Sequence, residues 1–273
     1  MNILVTLDAG YIKPLCVMLR SMAESNPRTS FDIYVAHTTL TDADFYEIGK
    51  AVDGRNVRVL SVRVPAELFR DAPILKRTAK ETYYRLFAAA YLPKTVDRIL
   101  YIDPDTLVIG NLAPLYNVEF GDCFFAGCGH MTPFLNFVNV ARLGMPPHST
   151  YINAGVLMLN LRALRAFFSA DEVFSYIRQH PHGLLLADQD VLNALYGERI
   201  LRLDENLYNL DERCFRRLAK DCGKAAALEF VRQNTCIIHY NGKFKPWREN
   251  YKGDLDCFYP LCPHAKGVRQ YAE

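Results

Sequence analysis

The 273-residue sequence has almost no charge imbalance: 32 Lys and Arg against 30 Asp and Glu leave a net charge of +2. So even a balance argues against a nucleic-acid-binding protein or a polybasic membrane anchor, so the basic residues that matter must be few and placed. No apolar stretch approaches the roughly 18 residues of a membrane span. The N-terminus, "MNILVTLDAG", has no basic leader and carries Asp8 within its apolar run, which speaks against a secretory signal. The eight cysteines include no Cys-x-x-Cys pair, and neither Cys123/Cys128 nor Cys257/Cys262 has paired histidines at finger-like distance. Free thiols in a reducing, cytoplasmic compartment are expected instead. Tryptophan occurs once, at Trp247.

What is present is ordinary globular composition, 50% hydrophobic and 23% charged. Short apolar runs alternate with longer amphipathic ones. Strands are expected at residues 2–7, 31–36, 57–64 and 98–102. Helices are expected at 14–23, at 41–52 with Thr41 as N-cap and Asp44 three residues on, and at 78–92 behind the capping box "TAKE". This β-α-β-α-β-α-β order predicts an α/β fold: a mostly parallel Rossmann-like sheet with helices on both faces, and a ligand crevice beyond the carboxyl ends of its strands. Further on, the pattern predicts an apolar run at 151–161, helices at 162–179, 189–196 and 213–233, and strands at 200–203 and 235–238. No repeat or linker divides the chain, so one domain over residues 1–255 with a short tail, 256–273, is expected.

The stretch "YIDPDTLVIGNL" ends an apolar run on two carboxylates, Asp103 and Asp105, around Pro104. Residues i and i+2 of extended backbone point to one side, and proline pushes the preceding residue toward extended geometry. Two carboxylates held together suit Mg²⁺ or Mn²⁺, which prefer oxygen ligands and leave positions for phosphates. Taken alone, the pair also reads as a solvated strand-end turn. His239, after "CII", offers a third ligand that shifts preference toward Mn²⁺. Gly242 permits close backbone approach to an anion, and Lys243, Lys245 and Arg248 supply charge. A metal ligand, a glycine and lysines together match the demands of a diphosphate.

The segments "ILVTLDAGY", "TYYRLFAAAYLP", "RILYIDPDTLV", "YINAGVLMLNL", "LADQDVLNAL" and "IIHYNGKFKPW", in order from residue 3 to 247, resemble glycosyltransferase family 8, the family of bacterial lipopolysaccharide galactosyl- and glucosyltransferases and of glycogenin. The resemblance implies a GT-A fold, a UDP-sugar donor, a divalent metal and retention at the anomeric carbon. It implies that Asp103, Asp105 and His239 hold the metal, that Asp8 reads uracil with Tyr11 packed on the base, and that Arg85, Asn153, Ala154 and Gly155 lie by the donor sugar. Gly242 and Lys245 match the diphosphate loop. In "ADQDV", Asp188 matches a residue on donor hydroxyls and Gln189 one beside the anomeric carbon; both could equally open a helix, with Asp188 as N-cap. Because an amide is a poor nucleophile, attack on the same face as departure is expected, with Asp190 as reserve nucleophile.

The implied reaction moves glucose or galactose from the UDP-sugar to a hydroxyl of a cell-surface glycan or glycolipid. Mn²⁺ is the expected ion, Mg²⁺ the alternative, and membrane contact is at most peripheral. Two other readings stay open: a catalytically silent sugar-nucleotide-binding protein and a sugar-nucleotide pyrophosphorylase. The acceptor is expected against residues 130–151 and 65–80, which carry no recognisable code.

Overall fold

The strands Asn2–Thr6 (β1), Phe31–His37 (β2), Val57–Arg63 (β3) and Arg98–Ile102 (β4) form because their side chains alternate between two apolar layers. Ile3, Val5, Ile33, Val35, Leu100 and Ile102 face one core, shared with Leu15, Met18, Leu19 and Met22 of helix α1 (Ile12–Ser25). Leu4, Tyr34, Ala36, Ile99 and Tyr101 face the other. A sheet buried on both faces requires apolar residues at successive positions, which is what β1 and β4 contain. This computed structural model describes residues 1–70, 72, 80–180 and 183–260.

Helix α2 (Asp42–Ala51) starts at the expected cap: Thr41 and Asp44 exchange side-chain and backbone hydrogen bonds in a capping box. The segment expected as a helix from Thr78 to Leu92 differs. It is a 3₁₀ helix over Lys80–Phe87, then one turn, α3 (Ala88–Tyr91). Every residue from Tyr83 to Phe87 is buried, a pattern that one apolar helix face does not produce. Thr78, the expected N-cap, lies outside the described residues.

After β4 the chain turns through Asp103, Pro104 and Asp105 into β5 (Thr106–Val108), the turn closed by Thr106 Oγ1 on the Asp103 carbonyl at 2.9 Å. There follow α4 (Ala113–Tyr116), β6 (Phe125–Cys128), α5 (Pro133–Leu143) and β7 (Val156–Asn160). The helix expected over 162–179 is two, α6 (Leu161–Phe167) and α7 (Ala170–Gln179), the second restarted by Ser169 as N-cap. Then come α8 (Ala187–Tyr196), β8 (Ile200–Leu203) and α9 (Glu205–Tyr208). The stretch 213–233 also divides, into α10 (Glu212–Cys222) and α11 (Lys224–Asn234), around Gly223 at φ 87°. β9 (Ile237–His239) is the last strand.

The central sheet runs β3-β2-β1-β4-β7-β6-β8. β7 alone is reversed, antiparallel to β4 and β6, while β6 and β8 pair in parallel. Residues 153–155 therefore precede β7, and the reversal brings them to the carboxyl end of β4, where the Asp103 N–H donates to the Gly155 carbonyl at 2.8 Å. β9 is not in this sheet: it forms a two-stranded antiparallel ribbon with β5, setting Thr106 opposite His239. Among the described residues the seven cysteines are free, and no helix is long and apolar enough to cross a membrane.

Candidate active site

The Asp103–Pro104–Asp105 corner is where the chain leaves the central sheet for the ribbon, and the ribbon returns His239 to it. His239 Nε2 lies 3.3 Å from Asp105 Oδ1 and 3.7 Å from Asp103 Oδ2. The potential ligand atoms of the three residues all fall within 4.8 Å of one another. Asn209, fully buried, fixes the imidazole. Its amide donates to Asn153 Oδ1 at 3.0 Å, so its oxygen accepts from His239 Nδ1 at 2.8 Å. That leaves Nε2 aimed at two carboxylates, an arrangement with room for a cation among the three. Two hard carboxylates and one imidazole suit a divalent ion. The fit is tightened by Gly155: a methyl there would overlap the imidazole and stand 2.7 Å from Asp103 Oδ2.

Arg85 is buried behind the carboxylates. Its guanidinium meets Asp103 Oδ1 at 3.1 Å and Asp188 Oδ2 at 2.9 Å, donates to the Ala154 carbonyl at 2.6 Å, and lies over the Tyr101 ring. Tyr101 donates its hydroxyl to Asp103. Burial alone would favour loss of the Arg85 proton, but Asp103 and Asp188 hold it on. One guanidinium is shared by two carboxylates, so burial still raises Asp188 to about 7, with Arg85 only partly opposing it. Asp105 goes the other way. Burial would raise it, yet His239 and Lys245 hold it well below the usual carboxylate range.

Asp188 is within helix α8, whose N-cap is Leu186, so it is not the cap considered from sequence. Gln189 Oε1 accepts from Asn153 Nδ2 at 3.0 Å and from the Ala154 N–H at 3.1 Å, and its Nε2 donates to the Tyr151 hydroxyl at 3.0 Å. Tyr151 donates onward to Asp190 at 2.6 Å. Asp190 is completely buried and lines neither cavity described below. Its two oxygens accept from Arg142 at 2.9 and 3.0 Å, and from the Leu185 and Leu186 N–H groups. A carboxylate so engaged, and turned from the cavity, is not placed as a nucleophile. It anchors Tyr151, and through it Gln189. A continuous hydrogen-bonded chain thus runs from His239 through Asn209, Asn153, Gln189 and Tyr151 to Asp190. Asn209 and Tyr151 carry no sequence signal of this; each is legible only once the strands are in place.

Two adjoining cavities meet at the carboxylates, both lined by Thr82, Arg85, Asp103 and Asp105. The larger, about 650 Å³, also holds Asn153, Ala154, Gly155, Asp188, Gln189, His239 and Gly242. The smaller, about 240 Å³, holds Asp8 and Tyr11. Asp8 is exposed after β1 and accepts from the Gly10 N–H at 2.8 Å. Tyr11 meets Trp247 edge-on, and Trp247 packs on Tyr259. Lys245 donates to Asp105 and to the Tyr240 carbonyl. Gly242 is exposed with open space around it, so its lack of a side chain is not demanded by packing.

A second group, His130, Asp211 and Cys214, lies beside the larger cavity. Asp211 caps α10 through the Arg213 and Cys214 N–H groups, and burial pushes the Cys214 thiol far up, so this group is a helix cap carrying a neutral thiol.

A doubly wound sheet with an Asp-x-Asp at its central strand end, inside a polar cavity, defines a GT-A glycosyltransferase. Residues 2–251 match the family described as glycosyl transferase family 8, and the chain belongs to that family; it is a hexosyltransferase. It is 27% identical over 260 residues to a lipopolysaccharide 1,2-glucosyltransferase of Escherichia coli K12, covering 91% of this chain and 73% of the relative. It is 22% identical to the lipopolysaccharide 1,3-galactosyltransferase of Salmonella typhimurium, covering 90% of this chain and 72% of that one. Its fold superposes on the galactosyltransferase LgtC in complex with donor and acceptor sugar analogs, with a TM-score of 0.78, 24% identity and coverage of 92% and 90%.

Proposed function

We propose that this hexosyltransferase moves glucose or galactose from a UDP-sugar to an acceptor hydroxyl of a glycan or glycolipid, with retention, using Mn²⁺. The observation that carries the reading is the convergence, at one corner of two cavities, of the Asp103, Asp105 and His239 donor set with the Arg85, Asp188 and Gln189 wall. Asp103, Asp105 and His239 Nε2 would hold the ion, which supplies Lewis-acid stabilisation of the departing diphosphate. The smaller cavity, lined by both residues, would take the base: Asp8 accepts the uracil N3–H and Tyr11 offers its ring. Lys245 and the open backbone at Gly242 serve the diphosphate, and Lys245 exchanges its contact with Asp105 for one with phosphate.

Arg85 and Asp188 position the donor sugar with Asn153, Ala154 and Gly155. Gln189 stands beside the anomeric carbon, its amide oriented by Asn153 and Tyr151. An amide does not form a stable glycosyl ester, so departure and attack share one face, and the leaving phosphate takes the acceptor proton. Residues 1–255 are read as one catalytic unit, and the segment after it packs back on the unit through Tyr259 against Trp247. The test is a donor screen measuring release of the nucleoside diphosphate with Mn²⁺, UDP from UDP-glucose and UDP-galactose and GDP from GDP-mannose. Turnover of one UDP-hexose is expected. UDP binding without turnover of either UDP-hexose would overturn the catalytic reading in favour of a silent sugar-nucleotide binder.

A further inference from the structure

Helix α5 buries Val140 and Leu143 but turns its other large apolar residues outward. Its polar residues, Asn136, Asn139 and Arg142, recur every third position and face the protein. Asn136 bonds the Tyr151 N–H and the Ser149 carbonyl, and Arg142 bonds Asp190, the Gly183 carbonyl and Asn139. Its outward face is apolar: Phe134 is 72% exposed, Phe137 69%, Leu135 45% and Val138 41%. A helix on a soluble surface shows the opposite arrangement. The helix begins just after Met131, which lines the larger cavity, and packs on the segment that leads to Leu185 and Leu186. Those two leucines and Phe244 are also exposed, and all three line the same cavity. Seven of the nine large exposed hydrophobic residues among those described therefore lie at one cavity mouth or on the helix that starts from it.

The exposed charges at that mouth are all positive: Arg213, Arg216, Lys243 and Lys252. The acids lining the cavity are buried or turned inward. Glu212, for example, accepts from the Tyr251 hydroxyl and from the Asp254 and Leu255 N–H groups. An apolar helix face flanked by cations is complementary to an anionic bilayer surface, where aromatic side chains enter the acyl boundary and Lys and Arg meet headgroups. A second copy of the chain is a poor occupant, because a two-fold contact through this face would set the same four cations against themselves.

We infer that α5 is an interfacial membrane helix, seating Phe134, Phe137 and Val138 in an anionic lipid surface so that the cavity mouth opens at the headgroup layer. Binding requires no donor and no metal. That it presents the site to lipid-borne acceptors is a consequence resting on the glycosyl-transfer reading.

The test is co-sedimentation with vesicles of equal parts phosphatidylglycerol and phosphatidylcholine, against phosphatidylcholine alone, in parallel with UDP release in solution. The full chain is expected to bind the anionic vesicles, and a Phe134→Ser, Phe137→Ser variant to bind at least about tenfold more weakly with UDP release in solution without acceptor, which the donor side alone supports, unchanged. A Phe137→Trp variant is expected to add a blue-shifted emission on those vesicles. Arg213→Gln with Arg216→Gln should narrow the preference for anionic lipid. A wild type that stays in the supernatant, a serine variant that binds equally well, or a concentration-dependent dimer that the serine variant dissociates would each overturn the inference. The solution assay separates these outcomes from failure of the catalytic reading.

Discussion

Gly155 and His239 are packed so closely that no side chain fits between them: a methyl on Gly155 would occupy the volume of the imidazole edge. The glycine is therefore part of the geometry that sets His239 against Asp103. Gly155→Ala must displace His239 or Asp103, at an overpacking cost of about 1–3 kcal/mol. We expect the variant to fold, with a modestly lower Tm, and to lose about a hundredfold in Mn²⁺-dependent transfer. Unchanged transfer at saturating Mn²⁺ would show that the imidazole is not needed where it stands.

Asn209 touches neither cavity, yet it sets the His239 tautomer. Second-layer partners of metal-ligating histidines are worth about 10–100-fold in affinity or activity. Asn209→Ala should weaken Mn²⁺ binding within that range, measured by titration against a competing chelator, with maximal rate largely recovered at high Mn²⁺. A variant defective at every Mn²⁺ concentration would assign Asn209 to the core instead.

Much of this site was legible in the sequence, because its parts sit at strand ends and strand ends announce themselves by apolar runs. Asp8, the Asp103–Asp105 pair and His239 were readable in that way. The reversal of β7 was not: "YINAGVLMLNL" has the same apolar pattern in either direction, and only pairing with β4 places residues 153–155 at the Asp103–Asp105 corner. β6 was missed because "FAGC" is short and contains Gly127, where a side chain would collide with Ile152 and Leu157. Asp190 looked like a site acid because it neighbours Gln189. Its partners, Arg142 and Tyr151, are distant in sequence and revealed its use only in three dimensions.

Asp190 separates structure from chemistry. Burial would raise its pKa, but Arg142, the Leu186 N–H and Tyr151 together lower it. A carboxyl depressed in the folded state stabilises above its unfolded value, about 4, and that contribution is lost as pH falls through the folded value. Asp190→Asn should lower Tm at neutral pH, consistent with the roughly 3–5 kcal/mol typical of breaking a buried pair, and flatten the loss of stability below pH of about 4. Gln189→Ala should lower the transfer rate with little change in Tm. If Asp190→Asn folds normally and loses only the chemical step, the nucleophile assignment returns.

Lys245 donates to Asp105 Oδ2, so an ion bound through that oxygen has to displace it. Lys245→Met should therefore strengthen Mn²⁺ binding without nucleotide while weakening UDP binding and transfer. Weaker Mn²⁺ binding in the variant would mean that the lysine supports the ion site rather than guarding it.

The central claim, that Asp103, Asp105 and His239 form a metal site on which transfer depends, is tested most directly by UDP release from the turned-over UDP-hexose in chelator and after Mn²⁺ is restored. Wild type should stop in chelator and recover with Mn²⁺, whereas Asp105→Asn should recover at no Mn²⁺ concentration while retaining its fold. Full activity in chelator, or in Asp105→Asn, would contradict it.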